Sequence, residues 1–395
     1  MSFWPRAGDA SSKRVTYDAT RPYTSRMDGT TASALPAPPR RGAAEVEDLA
    51  EANVEELLVA GAEGRLPDDA AEAPTRSRRR LVLAARMVAS AAMLGVLYWR
   101  MPEFTWSEIL PEWSAHTFWL LAGAVALTGF AIVLSAVRWQ AVLRTLGIHA
   151  GLRKLVSLSF AGQFVSNVLP TTIGGDVLRV SRLSKDNGEP ADTFASVVLE
   201  RLTGWLVLPL ITLFGLAINP GLRVLGEATV LALLIAAGTL VALVFVIVVA
   251  DHRRLGGRFE SAKGWRRFVA AVHDGVEKLR RHPISALGVL VAGIAYQLVL
   301  CLAAMLAAAA LGIAWLGFTP LLAFLPAVLI AQVLPLGIAG LGIREGAFVI
   351  FLTPLGVPAE EAVALGLMLY VLNLAVSLIG VPSFAVGGRE PAAAP

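Results

Sequence analysis

The chain of 395 residues is 56% hydrophobic, and its mean hydropathy is +0.65. This composition excludes an ordinary soluble protein. It predicts a polytopic, all-α integral membrane protein, because several apolar runs reach the ~20 residues that cross a bilayer. The net charge of +4 therefore indicates basic loops facing anionic lipid, not a nucleic-acid partner. The single cysteine, Cys301, excludes an internal disulfide and a cysteine-based metal site.

The chain divides into a polar start and an apolar remainder. Residues 1–75 are rich in Ala, Pro, Arg, Asp and Glu, contain no long apolar run and show no secretory signal pattern. A basic run, Arg76–Arg80, follows them. We therefore expect a disordered cytoplasmic tail over 1–80, a membrane domain over 81–387 and a short C-terminal tail over 388–395.

Six apolar runs predict full spans, at 81–99, 116–137, 194–218, 228–250, 285–313 and 361–386. Arginines before the first span and the Lys/Arg-rich loop 251–284 place the N-terminus and this loop in the cytoplasm. Within the loop, 265–281 is amphipathic. It is therefore either a surface helix on anionic lipid or a solvated linker.

One motif occurs twice, and the two copies are 165 positions apart, which is the separation of Arg179 and Arg344. The stretch Asn167–Arg179 aligns without gaps on Gln332–Arg344. The identical pairs are Val168/Val333, Leu169/Leu334, Pro170/Pro335, Ile173/Ile338, Gly175/Gly340 and Arg179/Arg344. Paired Gly/Pro-interrupted apolar segments are typical of binding sites in transporters built from inverted repeats.

Loop charges require 152–182 to start and finish in the cytoplasm. The same count of loop charges and spans places both ends of 319–356 on the outer side of the membrane. We therefore expect two re-entrant helical hairpins that enter from opposite faces. The alternative is that 319–356 crosses once, which leaves the C-terminus outside.

Each copy has the chemistry of an anion site. Leu–Pro ends a helix, the glycines permit close backbone approach, and the next helix offers free N–H groups with an arginine about one turn in. The predicted substrate-binding residues are Asn167, Pro170, Gly174, Gly175, Asp176, Arg179, Glu200, Arg201, Gln332, Gly340, Gly342, Arg344 and Glu345. The alternative is tight helix packing, with the arginines snorkelling or paired to Asp176 and Glu345.

Glu200 and Arg201 lie about six residues into the span 194–218, ~9 Å deep at 1.5 Å per residue. Charged groups inside a membrane usually face the protein interior. Glu200 either pairs with Arg179 or Arg182 as a structural ion pair, or carries a coupling proton.

Four stretches, Gly162–Arg182, Val198–Gly204, Leu334–Gly346 and the pair Arg138-Trp139, resemble the lysylphosphatidylglycerol synthase transmembrane family. This is the flippase-like domain of the bacterial multiple peptide resistance factor. The resemblance implies a bacterial inner-membrane protein whose hairpins handle a lipid headgroup. The full synthases also carry a soluble aminoacyl-tRNA-dependent transferase domain, which has no counterpart here. We therefore expect a lipid flippase that binds an anionic lipid headgroup between the two re-entrant hairpins, and not an enzyme.

The expected partner is an anionic phospholipid or a polyprenyl-phosphate-linked lipid. A soluble transferase and a second copy of the chain are further candidates. We expect no cofactor and no metal, because the sequence has neither a G-x-x-x-x-G-K-[ST] loop nor an H-E-x-x-H motif. One alternative is an integral membrane partner or subunit of a glycosyltransferase or aminoacyl-phospholipid pathway, with Asp176 or Glu200 as acid/base. Another is a scaffold that recruits partners through 1–75.

Overall fold

The computed structural model describes residues 76–100, 111–168, 174–251, 265–333 and 340–386, and the regular elements among them are helical. Its α-helices are α1 (Arg76–Arg100), α2 (Ala115–Leu146), α3 (Leu152–Val168), α4 (Gly174–Asn187), α5 (Pro190–Ile218), α6 (Glu227–Asp251), α7 (Trp265–Arg281), α8 (Pro283–Ala310), α9 (Phe318–Ala331), α10 (Ile343–Leu352), α11 (Ala359–Ser377) and α12 (Val381–Val386). The expected tails over 1–75 and 388–395 lie outside the described residues, and α1 begins at Arg76, inside the range assigned to the first tail.

Among the described residues, five helices are long and apolar enough to cross a membrane: α2, α5, α6 over Glu227–Val246, α8, and α11 with its extension over Ala359–Ala385. They coincide with five of the six predicted spans, so the all-α membrane fold is confirmed. The first predicted span, 81–99, falls in α1, whose described side chains include the apolar stretch Met87–Trp99. The crossing of α1 and the re-entry of the hairpins stay predictions.

The helix α2 is longer than the apolar run that predicted it. The run ends at residue 137, but the helix continues to Leu146 and ends at Gly147, whose φ of 88° forms a left-handed C-cap. Arg138 therefore lies inside a helix, where it is buried.

The order of elements occurs twice. A long helix, two short helices and another long helix follow one another as α2 to α5, and again as α8 to α11. The contacts are exchanged between the two sets: α2 packs on α8, α5 packs on α9, and α11 packs on α3. Within each set the short helices pack on each other, α3 on α4 and α9 on α10. This pattern is that of two repeats related by an approximate two-fold axis.

The first hairpin, α3 and α4, has both of its outer ends beside the beginning of α5. The Lys154 ammonium near the start of α3 pairs with the Asp186 carboxylate near the end of α4. Asn187 at the end of α4 then donates a hydrogen bond to Thr193 in the first turn of α5, with a distance of 2.9 Å between Nδ2 and Oγ1.

The second hairpin, α9 and α10, has its outer ends at the other end of α5. Asn219, which follows α5, donates a 2.9 Å hydrogen bond to Thr319 in the first turn of α9. The ring of Trp315, just before α9, lies next to Gly356, just after α10. The two hairpins therefore extend from opposite ends of α5, as an inverted repeat requires.

The helix α7 confirms the predicted amphipathic segment over 265–281 as a helix. It is docked on the bundle: Gly275 is buried, and a Cβ there would lie 2.5 Å from Cδ1 of Leu199. Val272 packs against Ala191 and Ala195 at the start of α5. The alternative of a solvated linker is therefore wrong over this range, while binding to anionic lipid stays a prediction.

The largest apolar core lies around the second repeat. Phe324 of α9 stacks on Phe351 of α10 with ring centroids 5.2 Å apart, and Phe348 is fully buried beside them. The first repeat has a smaller core around Trp139 and Leu143. The space next to that smaller core contains polar side chains, and they form the candidate site.

Candidate functional site

A pocket of about 70 Å³ lies between α2, α3, α4, α5 and α8. Its hydrophilic lining is provided by Ser135, Ser159, Gln163, Ser166, Asp176, Arg179, Arg201 and Tyr296. Three of these, Asp176, Arg179 and Arg201, are predicted site residues, and Gly175 also contributes to the wall. The first copy of the motif thus lies beside a polar pocket in an otherwise apolar bundle.

Two glycines bring the arms of the first hairpin into backbone contact. A Cβ on Gly175 would lie 2.2 Å from the carbonyl oxygen of Gly162 and 2.3 Å from Oγ of Ser166. Real Cβ atoms do not approach so closely, so a larger residue at 175 would push α4 away from α3. The close approach holds the first turn of α4, with Asp176 and Arg179, against the pocket.

Glu200 is fixed behind the pocket by Arg138. Nε and Nη2 of Arg138 both donate to Oε1 of Glu200, the first at 3.0 Å, and Oγ of Ser135 donates to the same oxygen at 3.1 Å. Glu200 is only 2% exposed. Gly204, one turn further along α5, leaves room for the guanidinium, because a Cβ there would lie 2.9 Å from Nη1 of Arg138.

This geometry favours the structural ion pair over the coupling proton for Glu200. The principal partner is Arg138, which the sequence analysis did not predict; Arg179 is a second partner at 3.3 Å. Arg182, the other predicted partner, instead donates to the carbonyl oxygens of Ser383 and Phe384, both at 2.6 Å. Since α5 begins at Pro190, Glu200 also lies ~15 Å along the helix rather than ~9 Å, at 1.5 Å per residue.

Arg179 is buried but incompletely bonded. Its Nη1 lies 3.5 Å from Oδ1 of Asp176 and 3.3 Å from Oε2 of Glu200, both long for charge-assisted bonds. Its guanidinium carbon is 4.0 Å from the ring centroid of Trp139. Nε and Nη2 are fully buried and have no hydrogen-bond partner among the described residues. The hydroxyl of Ser159, which lines the same pocket, is also buried without a partner there.

Unsatisfied buried donors are rare in folded proteins, because each costs about 1–3 kcal/mol and more when charged. The pocket and the ion pair behind it contain three guanidinium groups, of Arg138, Arg179 and Arg201, and two carboxylates, of Asp176 and Glu200. The cluster therefore has a net charge of +1. A buried cationic cluster with free donors beside a small polar pocket is suited to an anion.

The second copy of the motif has a different arrangement. Arg344 donates to Oε1 of its neighbour Glu345 through Nε at 3.2 Å and Nη2 at 2.6 Å. Oε2 of Glu345 accepts the N–H of Gly342 at 2.6 Å and so caps the N-terminus of α10. The Arg344 guanidinium lies 5.4 Å from the ring centroid of Tyr370. Here a carboxylate of the chain itself already occupies the place that the sequence analysis assigned to a ligand.

The remaining predicted residues lie in the hairpins outside the pocket lining. Asn167 donates to the carbonyl of Asn373 on α11 at 3.3 Å, and Gly174 begins α4. Gln332 follows α9, and Gly340, with φ of 76°, approaches it so closely that a Cβ would lie 2.9 Å from Cβ of Gln332. Pro170 lies outside the described residues.

The sequence analysis did not predict seven contributors: the pocket residues Ser135, Ser159, Gln163, Ser166 and Tyr296, and the neighbouring Arg138 and Trp139. Arg138 and Trp139 were noted only for their resemblance to the family. The signal for Arg138 is its position directly after an apolar run, where the helix that contains the run continues. Ser135 and Tyr296 had no comparable signal. Among the described residues, no group of three or more His, Cys, Asp or Glu side chains has metal-binding geometry.

The family described as lysylphosphatidylglycerol synthase TM region matches residues 82–380, more than half of the chain. The chain belongs to this family, and the resemblance stated from its motifs is confirmed. No curated protein matches the chain. The matched family is the membrane region of the synthases, and no catalytic domain is identified in the match.

Proposed function

We propose that this member of the family is a lipid flippase-like transporter that binds the phosphate of an anionic lipid headgroup in the pocket of the first repeat. Its place would be the bacterial inner membrane, with the N-terminus in the cytoplasm. One observation carries the proposal: Arg179 is buried beside the pocket, and two of its nitrogen atoms have no hydrogen-bond partner among the described residues. Family membership supports a role connected with membrane lipids.

Each charged residue has a separate part in the proposed binding step. Arg179 donates from Nε and Nη2 to two oxygens of one phosphate, the bidentate mode that suits a guanidinium. The ring of Trp139 holds the guanidinium plane, and the Arg138–Glu200 pair holds the wall behind it. Arg201, whose side chain is 47% exposed, meets the headgroup at the entrance. The apolar tails remain in lipid.

Transport then requires the pocket to open alternately to the two leaflets. Hairpins that extend from opposite ends of α5 are suited to this, because each can move against the long helices from its own face. In this mechanism Arg344 supports the second hairpin through Glu345 and does not grip the headgroup.

The test is a leaflet assay in proteoliposomes, with fluorescent phosphatidylglycerol and a fluorescent polyprenyl phosphate as probes. We expect the wild type to move one of them and Arg179→Ala to abolish movement. Arg179→Lys is the matched control for charge, since it keeps the cation but loses the bidentate fork. We expect it to retain only a small part of the rate. Equal rates for the wild type and Arg179→Ala would contradict the proposal.

The second candidate function is that of a membrane partner or subunit of a transferase that uses lipid phosphates, and the same assay tests it. The structure gives it no specific support, because both candidate acid/base residues, Asp176 and Glu200, are in ion pairs with arginines. Binding of the probe without movement between leaflets would favour a partner or subunit of a transferase over a flippase.

A further inference from the structure

The two carboxylates of the cluster are placed differently with respect to the pocket. Glu200 lies behind the wall and accepts two bonds from Arg138 and one from Ser135. Asp176 forms part of the wall itself. A headgroup entering the pocket therefore meets the carboxylate of Asp176 directly, while Glu200, which is bonded to Arg138 and lies 3.3 Å from Nη1 of Arg179, does not line the pocket.

Asp176 lies between the two arginines that face the pocket. Its Oδ2 accepts from Nε of Arg201, and its Oδ1 is 3.5 Å from Nη1 of Arg179. The side chain of Asp176 is 13% exposed. A phosphate bound to the free Nε and Nη2 of Arg179 would share these cations with Asp176 at short range, where water screens little.

The charge count then discriminates between headgroups. The cluster of Arg138, Arg179, Arg201, Asp176 and Glu200 has a net charge of +1. A phosphodiester carries one negative charge and neutralises the cluster. A phosphomonoester carries about −1.5 to −2 at pH 7, which leaves excess negative charge buried beside Asp176.

We infer that Asp176 is the specificity-determining residue of the pocket, which admits a singly charged phosphodiester headgroup and rejects a doubly charged phosphomonoester. The inference rests on the proposed function, since it concerns the ligand of the same pocket. Asp176 is then a charge filter and not a ligand of the phosphate.

The experiment measures the affinities of the purified full-length chain in detergent for two lipids with the same acyl chains, dihexanoyl phosphatidylglycerol and dihexanoyl phosphatidic acid, at pH 8. Trp139 offers a local fluorescence signal because it lies 4.0 Å from the Arg179 guanidinium, and Trp139→Phe identifies that signal among the nine tryptophans. Calorimetry gives the dissociation constants independently. Glycerol 3-phosphate and inorganic phosphate, which have no acyl chains, distinguish a lipid site from a site for a free anion.

We expect the wild type to bind phosphatidylglycerol at least about tenfold more tightly than phosphatidic acid. This ratio corresponds to about 1.4 kcal/mol of binding free energy. Asp176→Asn should raise the affinity for phosphatidic acid by about tenfold and so remove the preference. Asp176→Ser makes the same change of charge with a smaller side chain and should give the same result if the Asn variant fails to fold. Asp186→Asn is the matched control, because it removes a carboxylate from the same helix outside the pocket lining.

Two different failures are distinguishable. If Arg179→Ala abolishes binding but Asp176→Asn leaves the ratio of affinities unchanged, the inference is overturned and the proposed site stands. The same holds if Asp176→Asn weakens both lipids equally, which would make Asp176 a positioning residue for the arginines. If Arg179→Ala binds both lipids as the wild type does, the headgroup site lies elsewhere, and the proposed function and the inference fall together.

Discussion

The two repeats share one motif and one order of helices but differ in the hydrogen bonds of their arginine. In the first repeat, two nitrogen atoms of Arg179, beside a polar pocket, have no hydrogen-bond partner among the described residues. In the second, Arg344 is bonded twice to Glu345, and the surrounding core is apolar. The described parts of the two repeats therefore share an order of helices, while among them a buried arginine with unpartnered donors occurs in the first repeat.

The residues around each arginine follow the same division. At the offset of 165, Arg138 of α2 corresponds to Ala303 of α8. The buried charge of Arg138 therefore has an apolar counterpart in the second repeat. Gly366 also makes room for Glu345, because a Cβ there would lie 3.1 Å from Cγ of Glu345.

The largest expected effect comes from replacing Glu200 with an apolar residue. Glu200→Leu leaves the guanidinium of Arg138 buried without its principal partner. Breaking a buried pair in this way costs about 3–5 kcal/mol of unfolding free energy. Unfolding in mixed micelles measures the loss.

The double variant Arg138→Ala/Glu200→Leu removes both charges and is the matched control. We expect it to recover most of the stability but not the binding of the headgroup. If the double variant is as unstable as Glu200→Leu, the pair is not what stabilises this region.

The next effect concerns the internal carboxylate of the second repeat. Glu345→Gln removes the charge that holds Arg344 and caps α10 through Gly342. Hydrogen bonds to charged groups are worth about 1.5–3 kcal/mol, and we expect a destabilisation of that size. The affinity for the lipid headgroup should stay within a factor of two of the wild type. A loss of affinity as large as that of Arg179→Ala would show that the second repeat also binds the ligand, and the comparison would fail.

The sequence predicted the repeat, the apolar helices and the nearness of Asp176, Arg179, Glu200 and Arg201, because motif spacing and apolar length determine these features locally. It did not predict the part of Arg138, since an arginine at the edge of an apolar run is equally compatible with a cytoplasmic loop. The participation of Tyr296 depends on the packing of α8 against α2, which no local pattern contains.

The different hydrogen bonding of Arg179 and Arg344 could not be predicted from the sequence either. Both motifs place an acid near the arginine, Asp176 in one and Glu345 in the other. Only the side-chain geometry decides that Glu345 accepts two bonds from Arg344, while Nε and Nη2 of Arg179 have no partner among the described residues. That geometry depends in turn on the space provided by Gly366 on another helix.

The smallest expected effect tests how the first hairpin supports its pocket. Gly175→Ala places a Cβ 2.2 Å from the carbonyl oxygen of Gly162, so α4 has to move away from α3. Overpacking of this kind costs about 1–3 kcal/mol, and the shift also displaces Arg179, one turn further along α4. We therefore expect a modest loss of stability, measured by unfolding in mixed micelles, and a larger proportional loss of headgroup affinity.

Gly346→Ala is the control from the second repeat, because a Cβ at that position has nothing within 4 Å. It should leave both stability and affinity near the wild-type values. Equal behaviour of the two alanine variants would mean that the contact between Gly162 and Gly175 does not position Arg179. The position of Arg179 would then depend on its contacts with Trp139 of α2 and Glu200 of α5.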